Sequence, residues 1–351
     1  MQENQYISNN AALYRGDCCE VIKELPDNSV DFSIYSPPFA NLYIYSDDIA
    51  DMGNCQNDSQ FFEQYRYLVR EQKRILRPGR LIAVHCKNLV DYRNSNIDGE
   101  SGQRDFRGEI IRLFKGEGFS YHSEVTIWKD PVIEMQKTKA QGLLHKTLTT
   151  NSSYTRNGMA EYLVVFRKWP KTESDHNLVI PIDHKGKINW ATNDPMNDAN
   201  KKASIDKWQQ VASPIYNTKS TQEDLIQIID RLSKENETLA KYAPHELQKN
   251  VNFIWRDIRQ TNVLNIKQSK SGNDEKHICP LQLDVIEKAI ELWTNPNDVV
   301  FTPFMGIGSE VYQAVKMGRK GIGIELKESY FNVAVNNCKE AEADLNQATL
   351  F

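Results

Sequence analysis

No apolar run in the 351 residues approaches the roughly 18 needed to cross a bilayer, so no membrane-spanning helix is expected. The opening stretch MQENQYISNN is polar and lacks the apolar segment of a secretory signal, which makes the cytoplasm the expected location. Six cysteines are scattered without a single CxxC pair. Cys18 and Cys19 are adjacent, a poor arrangement for chelating one ion, so the thiols read as reduced and no zinc site is expected. Internal repeats and restriction-nuclease motifs are missing as well. Positive charge is also not in excess: the chain carries a net −4. That sum removes a global electrostatic argument for nucleic acid, but phosphates respond to a local field screened within about 10 Å. Between Lys129 and Lys171 there are 8 Lys/Arg against 3 Asp/Glu, a basic segment in an otherwise acidic chain.

Three textures follow one another. Residues 11–170 alternate short apolar runs with amphipathic stretches. Residues 30–35 (VDFSIY) read as a buried strand ended by Pro37-Pro38. Phe61 to Leu76 carries apolar residues at helical spacing and stops at Pro78-Gly79. Leu81 to Val84 reads as a strand, Phe106 to Lys115 as a helix and Tyr162 to Phe166 as a strand. From about 171 to 276 Asn, Lys, Asp and Ser dominate, and only Leu225 to Tyr242 has the look of an exposed amphipathic helix. A stretch of this length is an insert rather than one loop. The α/β texture then returns, with a helix at Leu281–Leu292, a strand at Asp298–Phe301, a helix at Glu310–Met317 and a strand at Gly321–Glu325. Strands alternating with helices predict a mostly parallel sheet.

Residues 299–309 (VVFTPFMGIGS) run from a strand into a turn with Gly306 and Gly308. A helix is expected to start around Ser309, a favourable cap residue. Glu325 stands at the end of the next strand, where a carboxylate can accept both hydroxyls of a ribose. Dinucleotide sites add a third glycine for close packing of helix on strand; here position 311 is Val. Phe304-x-Gly306-x-Gly308 instead looks like the S-adenosylmethionine (SAM) turn of a methyltransferase.

The second unusual turn is Ser36-Pro37-Pro38-Phe39, directly after a strand. Two prolines fix φ near −65° and hold the chain extended, so carbonyl groups can face a cleft beyond the sheet. An exocyclic amino nitrogen is a poor nucleophile because its lone pair is delocalised into the ring. Acceptors aimed at its hydrogens, here the Ser36 hydroxyl and the Pro37 carbonyl, favour the reactive form, while Phe39 offers a face for an unstacked base.

The two turns together resemble the β class of SAM-dependent DNA amino-methyltransferases, the N6-adenine/N4-cytosine DNA methylase family. These carry (Asp/Asn/Ser)-Pro-Pro-(Tyr/Phe/Trp) at the catalytic turn. In this class the catalytic turn precedes the SAM turn in a circularly permuted order, as Ser36–Phe39 precedes Phe304–Gly308 here. The resemblance spans about 11–170 and 277–340. It implies an α/β, Rossmann-like SAM methyltransferase fold, mostly parallel, with helices on both faces and an inserted variable region. Residues 1–170 would form the catalytic half, 171–276 the variable target-recognition insert, and 277–351 the SAM-binding half. SAM is the implied cofactor and double-stranded DNA the implied partner, with no membrane; a homodimer and a separate restriction endonuclease are left open. Leu13 to Asp17 resembles the strand whose acid lies near the SAM adenine, which makes Asp17 a candidate contact. Lys276 to Leu281, including His277 and Pro280, resembles the segment that closes over the methionine part. Arg77 to Arg80 and Trp255 to Asn265 resemble structural parts of the family's sheet.

Ser at the first position of the catalytic turn goes with cytosine N4 in the family, and Asp-Pro-Pro-Tyr with adenine N6. Tyr35 precedes Ser36 where the cytosine pattern has Thr, and a neutral hydroxyl serves either amino group, so both bases stay open. Lys137, Lys139, Lys146 and Arg156, set among Ser, Thr and Asn, suit phosphate contacts. Asp47 to Asn54 reads either as a loop closing over the base or as an acidic surface loop. Three other readings are weighed. An RNA or protein amino-methyltransferase and a catalytically inactive DNA-binding protein remain open. A nicotinamide oxidoreductase is disfavoured by Val311.

Overall fold

The computed structural model describes residues 4–38, 51–55, 57–91, 102–131, 134, 145–154, 159–181, 250–264 and 280–348. Its frame is a nine-stranded sheet. In chain order the strands are β1 (Gln5–Ile7), β2 (Ala11–Arg15), β3 (Val30–Tyr35), β4 (Leu76–Lys87), β7 (Ser120–Ile127), β8 (Glu161–Arg167), β9 (Ile254–Trp255), β10 (Val299–Thr302) and β11 (Lys320–Glu325). A separate two-stranded ribbon is made by β5 (Leu89–Asp91) and β6 (Gly102–Arg104). The spatial order is β1-β2-β11-β10-β3-β4-β8-β7-β9. Five neighbours, β2, β11, β10, β3 and β4, run parallel, while β8 pairs antiparallel with both β4 and β7. This is the mostly parallel α/β fold expected from the sequence.

Parallel strands covered on both faces need near-continuous apolar runs, and β3 supplies one, with all six residues buried. Beyond an irregularity between Val30 and Phe32, successive side chains take opposite faces. Val30, Tyr35, Ile82 and Val84 meet helices α2 (Asp58–Ile75) and α3 (Phe106–Gly116) through Phe61, Tyr65, Ile110 and Phe114. Phe32, Ile34, Leu81 and Ala83 meet α5 (Leu283–Trp293) through Val285, Ile286 and Ala289. On the same side, α6 (Ser309–Lys316) and α7 (Glu328–Ala348) pack Val311, Phe331 and Ala334 against Ala11 and Leu13. Two short helices, α1 (Cys18–Val21) and α4 (His145–Thr150), are also found among the described residues.

Two local expectations are corrected. Pro78-Gly79 does not close a turn ahead of a new strand. Instead β4 starts at Leu76, directly after α2, and runs through both residues. The register against β3 jumps from Val30↔Leu76 to Phe32↔Leu81, so the extra residues bulge out of the ladder, where a proline without an N–H is tolerated. The α6 helix is capped by Gly308 rather than Ser309, which is its first helical residue. Within the stretch 171–276, the structural reading of Trp255 to Asn265 agrees with the fold: β9 pairs with β7, and Trp255 and Ile258 are buried with Val285 and Ile286. Residues 182–249, with Leu225–Tyr242, lie outside the described residues.

The centre of the sheet is pinned by a buried charge cluster at its lower end. Asp31 accepts from Arg80 Nη2 at 2.9 Å, from Arg77 Nη1 at 3.2 Å and from the Val299 N–H at 2.9 Å. Arg80 also pairs with Asp298. One carboxylate thereby ties β3 to β4 and β10. Breaking a buried pair from one side leaves an uncompensated charge, so Asp31→Ala is expected to cost about 3 kcal/mol, seen as a lower urea midpoint with an unchanged denaturant slope.

Candidate active site

Because β10 and β3 are parallel neighbours, with Val300↔Phe32 and Phe301↔Ser33 in register, the two turns that follow them leave the sheet side by side. The Ser33 hydroxyl donates to the Phe301 carbonyl at 3.0 Å, and the Tyr35 and Phe304 rings sit 5.7 Å apart, locking one turn to the other. Between them opens a cavity of about 260 Å³. Its walls include Ser36, Pro37 and Pro38 on one side and Asp17, Pro280, Phe304, Gly306, Ser309 and Glu325 on the other. These are residues singled out by sequence from four separate segments. Phe39 and His277 lie outside the described residues.

Each cofactor-side residue is placed by local chemistry. The Gly306 N–H donates to Glu325 Oε2 at 2.7 Å, and the Lys327 N–H to Oε1 at 2.9 Å. Gly306 has φ +55° and no atom within 4 Å of where a Cβ would stand, so the backbone lies open to a ligand. Gly308 works differently. It is not among the cavity's walls; at φ +89°, a Cβ there would come within 3.0 Å of Ala334 on α7. It permits the close approach of two helices. Asn337 of α7 secures the same turn by donating to the Ile307 carbonyl at 2.8 Å. Asp17 caps α1, accepting from the Cys19 N–H at 2.8 Å, and still borders the cavity.

Several wall residues carry no signal in the sequence. Glu310, the second residue of α6, is buried and borders the cavity. Burial pushes its carboxyl up to about 8, against a weaker pull down from its own N–H, with the charge of Glu325 adding to the rise. Burial likewise raises Glu325 to about 7, although its two N–H donors oppose this. The Ser309 hydroxyl is buried without a protein partner. His85 at the end of β4 joins its Nδ1 to the Ser36 hydroxyl at 2.8 Å, and its Nε2 to Glu161 Oε2 at 3.1 Å. Lys129 Nζ lies 2.8 Å from the same Glu161 oxygen. Asp51 and Met52, within the segment expected to follow the catalytic turn closely, also border the cavity. Of the basic candidates, Lys146 is exposed on α4, and Lys137, Lys139 and Arg156 lie outside the described residues. Among the described residues no helix is long and apolar enough to cross a membrane.

The cavity is thus rich in acceptors on the Glu310/Glu325 side, which suits a ligand offering hydroxyls and positive charge. It also predicts a pH response. A carboxyl whose folded value is raised stabilises the fold only while protonated, so the ligand-free protein loses stability as pH climbs from the ordinary carboxylate range through about 8. Glu310→Gln removes that loss. The variant is expected to match the parent near pH 4 and to exceed it by about 2–4 kcal/mol at pH 9, measured by chemical denaturation at both values.

Comparison with known proteins agrees with this architecture. A family model described as DNA methylase, covering N6 and N4 methyltransferases, matches residues 30–336. The chain is 21% identical over 328 residues to the type II methyltransferase M.BglII of Bacillus subtilis, covering 92% of this chain and 67% of that one. It is 40% identical over 70 residues to M1.MboII of Moraxella bovis, covering 19% and 27%. The chain therefore spans about a quarter to two thirds of the length of these curated relatives. Among solved structures it resembles the cytosine-N4-specific PvuII DNA methyltransferase, with TM-score 0.54, 15% identity and coverage of 97% and 93%. It also resembles a putative DNA modification methylase of Thermus thermophilus complexed with SAM, with TM-score 0.53, 16% identity and coverage of 95% and 96%. With a family model running over most of its length, the chain belongs to the N6/N4 DNA methylase family.

Proposed function

We propose that this protein binds SAM in the described cavity and methylates the exocyclic amino group of a base flipped out of double-stranded DNA, adenine N6 or cytosine N4. The single observation that carries this reading is the shared cavity, in which the Ser36-Pro37-Pro38 turn faces Gly306 and Glu325.

SAM fits the residues on the cofactor side. Glu325 keeps lone pairs beyond those taken by Gly306 and Lys327, enough for ribose hydroxyls. Glu310 and the unpartnered Ser309 hydroxyl offer acceptors to an ammonium, and Phe304 and Tyr330 supply apolar wall. When bound, SAM supplies an electrophilic methyl group on a sulfonium. The protein's own residues do the remainder. The two prolines hold the turn rigid without N–H groups of their own, so nothing on Pro37 or Pro38 competes for the acceptors. The Ser36 hydroxyl and the Pro37 carbonyl accept from the amino hydrogens as positive charge develops on nitrogen, an electrostatic stabilisation that is already in place before reaction. Phe39 stacks on the flipped base. Lys146, with Lys137, Lys139 and Arg156, contributes phosphate contacts that set affinity and its salt dependence but not the site.

Incubation of the full chain with unmethylated genomic DNA and methyl-labelled SAM, followed by nucleoside digestion, tests the reading and identifies the base. Ser36→Ala is expected to lower incorporation about 100-fold while SAM binding persists. Glu325→Ala is expected to weaken SAM binding by about 10- to 100-fold in calorimetry, the cost of losing a charged acceptor. Label appearing in RNA or protein instead of DNA would transfer the activity to another amino acceptor.

A further inference from the structure

Behind Ser36 runs a chain of side chains from four parts of the sequence: Ser36 Oγ to His85 Nδ1 at 2.8 Å, His85 Nε2 to Glu161 at 3.1 Å, Glu161 to Lys129 at 2.8 Å. His85 is 7% exposed, and the Lys129 side chain 6%. Lys129 is held in turn by Gln260. A built network of this kind is costly to bury unless every member has a partner. Its polarity can be worked out from one end. Burial acts to raise Glu161, but the hydrogen bonds and charges of His85 and Lys129 outweigh it and hold the carboxyl at about 2. Glu161 is therefore ionised at neutral pH and can only accept. The proton on the bond to Glu161 must then belong to His85 Nε2. With the Nε2 proton committed to Glu161, the neutral form of the imidazole has only a lone pair at Nδ1. That lone pair takes the Ser36 O–H.

We propose that His85, oriented by Glu161 and Lys129, is a positioning residue that fixes the Ser36 hydroxyl as an acceptor toward the cavity and collects the proton released from the amino group. This rests on the methyl-transfer reading for its second half only. With its own hydrogen committed to His85, Ser36 presents lone pairs alone to the substrate. It selects an N–H donor, an exocyclic amine, and rejects a ring nitrogen or carbonyl that needs a donor. Proton balance follows the same line. Once the amino nitrogen bonds the methyl carbon and the carbon–sulfur bonding pair leaves with sulfur, the nitrogen carries one proton too many. That proton passes to Ser36 Oγ as the serine proton moves to His85 Nδ1. The resulting imidazolium sits against the Glu161 carboxylate until solvent removes the proton.

The charged groups around His85 are Glu161 from β8, Lys129 from beyond β7 and Lys87 from its own strand, with Asp51, Glu310 and Glu325 on other walls of the cavity. Protonated His85 would donate from Nδ1 and turn the Ser36 hydroxyl round, so methyl transfer is lost on the acid side. Two measurements decide. Nitrogen NMR of His85 in the full chain at neutral pH is expected to show the Nε2–H tautomer, with Ser36→Ala shifting only the Nδ1 signal. An Nδ1–H tautomer or an imidazolium overturns the proposal, whatever the protein methylates. In single-turnover transfer to genomic DNA, His85→Ala is expected to lose about 100-fold, while His85→Asn, which keeps an acceptor near Nδ1, recovers most of it. The acid limb of the rate profile should move roughly one unit lower in Glu161→Gln and higher in Lys129→Met. Unmoved limbs in both, with His85→Ala as fast as the parent, overturn it too. A parent chain that methylates no base rejects the enzymatic reading instead, a result separate from the tautomer.

Discussion

Everything at this site depends on two short strands from opposite ends of the chain lying side by side. Ser33 on β3 and Phe301 on β10 are 268 residues apart, yet their strands are parallel neighbours at the middle of the sheet. Their pairing is over-determined. Below, Asp31 reaches the Val299 N–H; midway, Ser33 reaches the Phe301 carbonyl; above, Tyr35 packs on Phe304. Tyr35 is itself held by Tyr65 at 2.7 Å and Gln72 at 2.9 Å, so α2 serves as a brace behind β3. In open α/β sheets ligands bind beyond the carboxyl ends of strands at the crevice between them. Here that crevice is where an extended proline turn and an open glycine turn face each other.

The permuted chain order follows from the same fact. A parallel sheet records which strands are neighbours, not which came first. Splitting the fold between β8 and β10 leaves the central ladder intact, and an insert there perturbs only its periphery. The chain departs past residue 181 and is described again from residue 250, where β9 joins the far edge at β7. The points of departure are tied down: Asn295 accepts from the Ile180 N–H and donates to the Leu178 carbonyl. A long polar segment can therefore vary without altering the spacing of the two turns.

What depends on local pattern is legible in the sequence. The apolar run of β3, the helical spacing of α2 and the strand–glycine–helix passage at 299–316 are all readable, because each is set by residues close in sequence. Ser36 and Glu325 can be named from their turns for the same reason. Gly308 reads as a ligand contact, and the structure gives it a further demand, because φ and helix packing leave the same residue in the sequence as backbone approach does. Ser309 reads as a cap only because nothing local shows that Gly308 already occupies the left-handed region there. His85, Glu161 and Lys129 leave no trace at all. They stand on β4, β8 and the loop beyond β7, and their meeting is a product of antiparallel register, β4 against β8 at His85↔Leu163 and Lys87↔Glu161. Nothing in the order of residues announces such a pairing.

That hidden network bears on why a serine can stand where an acid is also used. A carboxylate is an acceptor in every rotamer, so it needs no instruction about polarity. A hydroxyl is donor and acceptor at once, and its hydrogen rotates to suit whatever is nearest. Left alone in the cavity, Ser36 would be as ready to donate as to accept, and much of its value against an amino group would be lost. An imidazole at 2.8 Å that presents a lone pair at Nδ1 resolves the ambiguity by claiming the hydrogen, but only if its own tautomer is fixed. Glu161 fixes it, and Lys129 keeps Glu161 from drawing a second proton onto the ring. A neutral acceptor thus needs a charged pair behind it, and the buried cation and anion here, which add little to stability by themselves, find their reason in the polarity of one hydroxyl.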